Sequence, residues 1–302
     1  MKPTKLFLVP LISILILLAA CSSGPATTTS QGGAFLGGTQ GVTATFEPFG
    51  VEEEGVFSIF DSESFPIEVT LHNQGEYEIQ PADVKVKLLG PSTEEFQGLG
   101  NRELPNDGTI EKISELVPEG GEETVNFGSD VKYNQEVNGI ITREWFANIE
   151  YNYETYIIIP EVCLKEDLTD ERVCEVKETK NFFVSGAPVI ATAVEESTAG
   201  KGIMALKIKI KNNVVNGKIT VPGEDFGVND RLIYSIDDSA WECKSGGKVD
   251  EARLANDEAE IVCKLKEPLA ADTISTKQIK LTLQYKFRDI IQETLRIKES
   301  SQ

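Results

Sequence analysis

Five cysteines and one histidine are the residues of this chain best suited to chemistry: Cys21, Cys163, Cys174, Cys243, Cys263 and His72. Imidazole-assisted nucleophilic catalysis would have to be built around His72 alone. That residue closes a run in which Ile67, Val69 and Leu71 alternate with Glu68, Thr70 and His72, so it belongs to a polar face beside a turn. No Gly-x-Ser-x-Gly elbow occurs in the sequence. The cysteines lack the tight C-x2–4-C spacing of zinc sites. Acidic stretches at 61–64, 166–171 and 223–230 offer oxygen ligands, yet none has the spacing of a calcium-binding EF-hand loop. No phosphate-cradling glycine motif opens a helix. The expectation is therefore no catalytic residue, no metal and no cofactor. Carboxylates are plentiful, and a pair held several ångströms apart would serve glycoside hydrolysis. A glycosidase is the one enzymatic alternative left open.

Cys21 has a different chemistry. Lys2 and Lys5 precede an apolar run from Leu6 to Ala20, too short for a bilayer span of about 20 residues but suited to a signal-peptide core. Leu18-Ala19-Ala20-Cys21 resembles the lipobox of bacterial-type lipoproteins. The resemblance implies diacylglyceryl transfer to the Cys21 thiol and cleavage after Ala20. Residues 1–20 are then a lipoprotein signal peptide. Residues 21–41, rich in Gly, Ser and Thr and free of charge, read as a flexible spacer. Its r.m.s. reach would be about 25 Å.

Composition narrows the partners. The 302 residues carry a formal net charge of −20, and losing Lys2 and Lys5 with the signal peptide takes it to −22. Nucleic acid is excluded as a natural partner, since binding it needs a basic footprint. Anionic lipid would repel the body as well, so membrane association falls to the lipid on Cys21.

Beyond residue 41 the hydrophobic pattern has period two. Trp145, Ala147, Ile149, Tyr151 and Tyr153 alternate with polar neighbours, as do Leu206, Ile208 and Ile210, and Ile279, Leu281, Leu283, Tyr285 and Phe287. Such runs are strands with one wet face, and one-faced strands make antiparallel sheets. The same alternation sends Lys207, Lys209, Lys211, Glu68 and Glu150 outward and places the aromatics in a core. Residues 250–260 are the best helical candidate. Gly186 and Pro188 mark a boundary. On each side of it comes a short strand, then a strand ending in asparagine (Asn73, Asn212), then a long aromatic strand and a return strand. The reading is all-β, with two immunoglobulin-like antiparallel β-sandwiches in tandem, 42–186 and 187–302, related by a diverged duplication; the alternative is one long sandwich with insertions, which the central turn cluster disfavours. Four cysteines beyond Cys21 allow three pairings. Cys163–Cys174 and Cys243–Cys263 are expected, because each pair lies within one domain and flanks a turn.

The stretch "FPIEVTLHNQGEYEI" resembles the second-strand pattern of CARDB-type immunoglobulin-like modules. The second half, with "GAPVIATAVEE", "LKIKIKNN" and "LQYKFRD", is similar to exported archaeal and bacterial envelope proteins carrying such modules. The resemblance implies a fold and supplies no catalytic residue. The function expected is a non-catalytic binding or architectural role in the cell envelope. The protein would be anchored to the outer face of the cytoplasmic membrane or to the cell surface, with an envelope protein or glycan as partner. The alternative is a subunit of a surface layer, pilus or secretion apparatus that pairs through an edge strand. If recognition lies in loops, those at 164–172 and 223–230 are the candidates.

Overall fold

Alternation becomes strand along almost the whole body. The computed structural model describes residues 33–169, 172–176 and 179–300. Cys21, the expected signal segment and the spacer up to residue 32 lie outside them. The first half contributes β1 (Val42–Phe46), β2 (Val51–Glu53), β3 (Val56–Phe60), β4 (Ser64–Asn73) and β5 (Val84–Leu89). It continues with β6 (Phe96–Gln97), β7 (Glu103–Pro105), β8 (Glu122–Tyr133), β9 (Ile140–Lys165) and β10 (Phe183–Val184). The second half contributes β11 (Val189–Gly200), β12 (Ile203–Asn212), β13 (Lys218–Thr220), β14 (Asp230–Ile236) and β15 (Trp241–Ser245). It ends with β16 (Lys248–Val249), β17 (Glu251–Leu254), β18 (Glu258–Leu265) and β19 (Ile274–Lys298). Among the described residues the helical content is one 3-10 turn, Thr93–Glu95.

Residues 250–260, the helical candidate, form a hairpin-like turn between β17 and β18. Asn256 and Asp257 both take positive φ, 53° and 65°. That is the handedness of a two-residue turn between twisted strands. Ala252 and Leu254 are buried between exposed neighbours, which is strand periodicity rather than helical periodicity.

Among the described residues three sheets result. A four-stranded sheet has the order β1-β4-β8-β6 and draws only on the first half. A five-stranded sheet, β11-β12-β18-β15-β16, draws only on the second. The third has ten strands, with β17-β14-β19-β9-β5-β7 as its main path, and both halves build it. The expected boundary at 186/187 thus separates the small sheets and leaves the large one continuous. The cause lies in β9 and β19. Their alternation runs for 26 and 25 residues, and they pair antiparallel from Ile140↔Lys298 to Lys165↔Ile274 with one register shift. Stopping either strand at a domain border would leave ladder groups and a hydrophobic face without partners.

The large sheet buries one face. On β9 this face carries Trp145, Ile149, Tyr151, Tyr153 and Ile157, and on β19 Leu281, Leu283, Tyr285 and Phe287. The four-stranded sheet meets it where the Phe96 ring lies edge-on to Trp145, centroids 5.1 Å apart. The five-stranded sheet meets it where Thr155 Oγ1 donates to the Val189 carbonyl (2.7 Å) and Cys163 N–H to Glu196 Oε1 (2.8 Å). A single hydrophobic core spans both junctions.

The two halves repeat in detail. Asn73 and Asn212 end β4 and β12, opposite Val42 and Val189. Each side-chain oxygen accepts the amide two residues on, from Gly75 (3.2 Å) and Val214 (3.3 Å). The following amides, of Gln74 and Asn213, donate to Gly41 and Pro188. The Tyr151 hydroxyl meets the backbone of Val42, as the Tyr285 hydroxyl meets the Val189 amide. In the large sheet, β7-β5-β9 is mirrored by β17-β14-β19. The implied pseudo-twofold passes between two facing pairs, Tyr151↔Phe287 and Tyr153↔Tyr285.

The last residues of the expected spacer are bound to the body. Glu76 accepts three amides, of Leu36 (2.9 Å), Gly37 (2.9 Å) and Gly186 (2.7 Å). Phe35 stacks on Tyr156. Gly75 permits this crossing, because a Cβ there would sit 1.9 Å from the Tyr153 hydroxyl and 2.8 Å from the Gly186 carbonyl.

Candidate functional site

Both loops picked from the sequence border depressions in the surface. The first is a cleft of about 720 Å³ whose lining includes Gly227–Asn229, Arg231, Lys248, Glu251 and Arg253. Its walls follow from local structure. In the loop after β13, the Phe226 ring lies over Arg288 (3.9 Å) and Lys286 (4.9 Å) on the outer face of the large sheet. Thr220 Oγ1 donates to the Asp225 carbonyl at 3.3 Å. The loop is thus fastened below, and Val228 at its tip is 97% exposed. The opposite wall is the β15–β16 hairpin, turned by Gly246 and Gly247, both at positive φ. Tyr234 on β14 donates its hydroxyl to the Lys248 carbonyl (3.3 Å) and sets the hairpin's position.

The floor is the outer face of β14 and β17. There Arg231 stands directly across the ladder from Arg253. Arg231 pairs with Glu224 and lies 3.8 Å from Glu251. Glu251 also receives Lys248 Nζ at 2.7 Å, and that hydrogen bond is the main reason its carboxyl is held below the ordinary range. Arg253 is exposed and makes no hydrogen bond or ion pair among the described residues. The arrangement offers cationic and neutral donors to an anion or a polar chain.

The second depression, about 490 Å³, lies beside Cys163–Cys174 and is lined by Lys165, Leu168, Val176 and Glu196 among others. Glu196 is 1% exposed. One of its oxygens accepts the Cys163 amide, and the other lies 2.8 Å from Lys180 Nζ. Burial pushes its carboxyl up, against the opposing pull of Lys180. Lys180 also donates its amide to the Val194 carbonyl on β11. This pair fastens the returning loop to the sheet, with one oxygen hydrogen-bonded to the Cys163 amide and the other ion-paired with Lys180, the arrangement of a structural contact.

The cysteines form the two expected disulfides, Cys163–Cys174 and Cys243–Cys263. The second bridges residues directly opposite on β15 and β18. His72 is less exposed than its polar-face position suggested, with 23% of its side chain open. Nε2 is against the Glu119 carbonyl, and Nδ1 is near Gln74 (3.3 Å) and Glu122 (3.6 Å). The polar-face lysines Lys207, Lys209 and Lys211 pair across strands with Glu260, Glu195 and Glu258. Tyr151 and Tyr153 are core residues, each 1% exposed. Tyr156 faces outward under Lys280, whose Nζ is 4.0 Å from the ring centre. Among the described residues no three of His, Cys, Asp and Glu come together as metal ligands.

Arg231, Lys248, Glu251 and Arg253 were not singled out from the sequence. Taking 250–260 as helical hid the alternation of Glu251 and Arg253 with Ala252 and Leu254, the one signal that sets both on a wet strand face. No family model matches the chain, and no curated protein matches it.

Proposed function

We propose that this is an exported lipoprotein, acylated on Cys21, whose body serves recognition or envelope architecture without chemistry of its own. The carrying observation is the pair of disulfides, which take up all four cysteines beyond Cys21. Such bonds persist in oxidising, extracytoplasmic compartments. The lipobox at Leu18–Cys21 supplies the route and the anchor. Non-catalytic action is supported by His72, whose two ring nitrogens already face a carbonyl and side-chain partners. It is supported too by the two carboxyls that burial raises among the described residues, Glu196 and Asp289. They stand on different sheets, and Glu196 is held by Lys180. We read the halves as two immunoglobulin-like modules of CARDB kind, duplicated and fused through a shared sheet. The matched asparagine turns and the mirrored strand order support that reading.

The test is fractionation with intact-mass analysis. Wild type should sit in the membrane fraction with a diacylglyceryl mass on a chain beginning at Cys21. Cys21→Ser should be soluble or secreted. An unmodified native chain would remove the anchor from the proposal. Loss of a turnover on an envelope substrate by His72→Ala alone would remove its non-catalytic part.

A further inference from the structure

We infer that the cleft between the 227–229 loop and the β15–β16 hairpin binds an acidic oligosaccharide, with Arg253 and Arg231 taking a carboxylate or sulfate group on the sugar. This deepens the recognition reading above and rests on it only in treating the cleft as a binding surface.

The first ground is electrostatic. Acidic residues outnumber basic ones 49 to 29, so carboxylate partners are abundant. On the outer face of the five-stranded sheet, Lys207, Lys209 and Lys211 have found them. Arg253 has none among the described residues, and its direct cross-strand neighbour is another arginine. Like charges directly opposite on a ladder destabilise it. Lys248 adds a third cation, and among the described residues two carboxylates stand against the three, Glu251 in the lining and Glu224 paired with Arg231, so that Arg253 is the cation left over. An oxyanion placed between the guanidinium groups would remove the repulsion. The planar fork of arginine matches carboxylate and sulfate with two parallel hydrogen bonds.

The second ground is shape and polarity. A lone ion would fill little of about 720 Å³. The other side chains at the rim are mostly small or polar, Asn229 and Ser245 among them, beside the backbone of Gly227 and Gly246. Such a lining offers scattered hydrogen-bonding groups to a polyhydroxylated chain and no deep apolar slot for an acyl tail. Both walls are held from beneath, by Phe226 on Arg288 and by Tyr234 on the Lys248 carbonyl, so the cleft is formed before a ligand arrives.

The experiment is calorimetric titration of the full chain at low salt with four probes: an oligogalacturonate, a sulfated oligosaccharide, a neutral maltooligosaccharide and inorganic sulfate. The acidic oligosaccharides should bind, more weakly as salt rises, and the neutral one should not. Arg253→Ala should weaken binding on the order of tenfold or more, the usual cost of a lost charge-assisted contact. Arg253→Lys should recover only part of the loss, because it keeps the charge without the fork. Lys207→Ala, which removes an equal charge from another sheet, should bind as wild type. Arg253 is exposed, and an unchanged far-ultraviolet spectrum will show that its variants fold. Absence of binding by both acidic probes at millimolar concentration would overturn the inference, as would wild-type affinity in Arg253→Ala. Inorganic sulfate binding as tightly as the oligosaccharides would overturn the glycan assignment, and equal binding of the neutral probe would overturn the role of charge. None of these results alters the fractionation or turnover outcomes, so the anchored, non-catalytic reading stands or falls separately.

Discussion

Asn73 and Asn212 occupy the same position in the two halves, 139 residues apart, each buried at the end of a strand and each holding the turn that follows. Asn73 also donates its side-chain amide to the carbonyls of Tyr77 (2.8 Å) and Ile110 (3.3 Å), and Asn212 to that of Gly217 (2.9 Å). Alanine at either site leaves buried backbone groups without partners. Asn73→Ala is expected to cost about 2–3 kcal/mol and Asn212→Ala about 1–2 kcal/mol. Urea unfolding of both variants checks this. A cost under about 0.5 kcal/mol at Asn73, the range of ordinary surface substitutions, would show that water takes over its role.

The shared sheet makes a second prediction. Trp145 lies in the first half and Trp241 in the second, and both are buried. Two independent sandwiches would unfold separately, each followed by its own tryptophan. Here β9 and β19 join the halves along their whole length. The single-tryptophan variants Trp145→Phe and Trp241→Phe should therefore give fluorescence transitions with coincident midpoints once each is compared with its own circular dichroism curve. A stable intermediate in which one tryptophan is exposed and the other native would contradict this.

How much was legible in the sequence depended on range. Strand alternation is a local property, so the all-β class, the buried face of 145–153 and the outward lysines of 207–211 could be read directly. The turn asparagines stood out because each closes a strong alternating run. Pairing is not local. Nothing along the chain states that Ile140 will lie opposite Lys298, so one shared sheet and two separate ones look alike in sequence. Composition misled at 250–260, where good helix formers outweighed a turn set by two left-handed residues. The Arg231–Arg253 pair was hidden for the same reason, since it exists only once β14 and β17 are neighbours. The fastening of Leu36 and Gly37 by Glu76 was likewise beyond local reading, because the flexible composition of the segment carries no trace of a carboxylate 39 or 40 residues away.

Each disulfide closes a short loop, with sequence separations of 11 and 20. Loop-closure entropy assigns each about 3 kcal/mol. Cys243→Ala/Cys263→Ala is expected to lose about that amount. Its partners are already neighbours in the ladder, so native strand pairing should survive. Chemical unfolding under oxidising and reducing conditions measures the effect. The double variant should respond to reductant only through Cys163–Cys174, and a full wild-type response would mean that Cys243–Cys263 does not contribute.

Glu150 provides the pH prediction. On the outer face of the large sheet it receives Lys286 Nζ at 2.6 Å and the Arg288 guanidinium at 2.5 and 2.8 Å. Burial pushes its carboxyl up, but the hydrogen bonds and charges of Lys286 and Arg288 together outweigh it, and the net shift is downward from 4.5. A carboxyl lowered in the folded state favours folding wherever it is ionised in both states. That contribution is complete above the unfolded-state value and is lost as pH falls through the folded-state value. Asp238 and Glu251, both lowered, act in the same direction. Glu196 and Asp289, raised by burial, act oppositely: their contribution shrinks as pH rises from the ordinary carboxylate range through their folded values. Glu150→Gln should thus cost about 1–2 kcal/mol at pH 7, given that the site is partly open to solvent. The gap from wild type should narrow as pH is lowered below about 4.5, where the wild-type carboxyl begins to be protonated in the unfolded chain. Unfolding curves at closely spaced pH values from 7 to 3 would decide it. A gap of constant size across that range would mean that the geometry of the Lys286–Glu150–Arg288 group, and not its charge, is what stabilises the sheet.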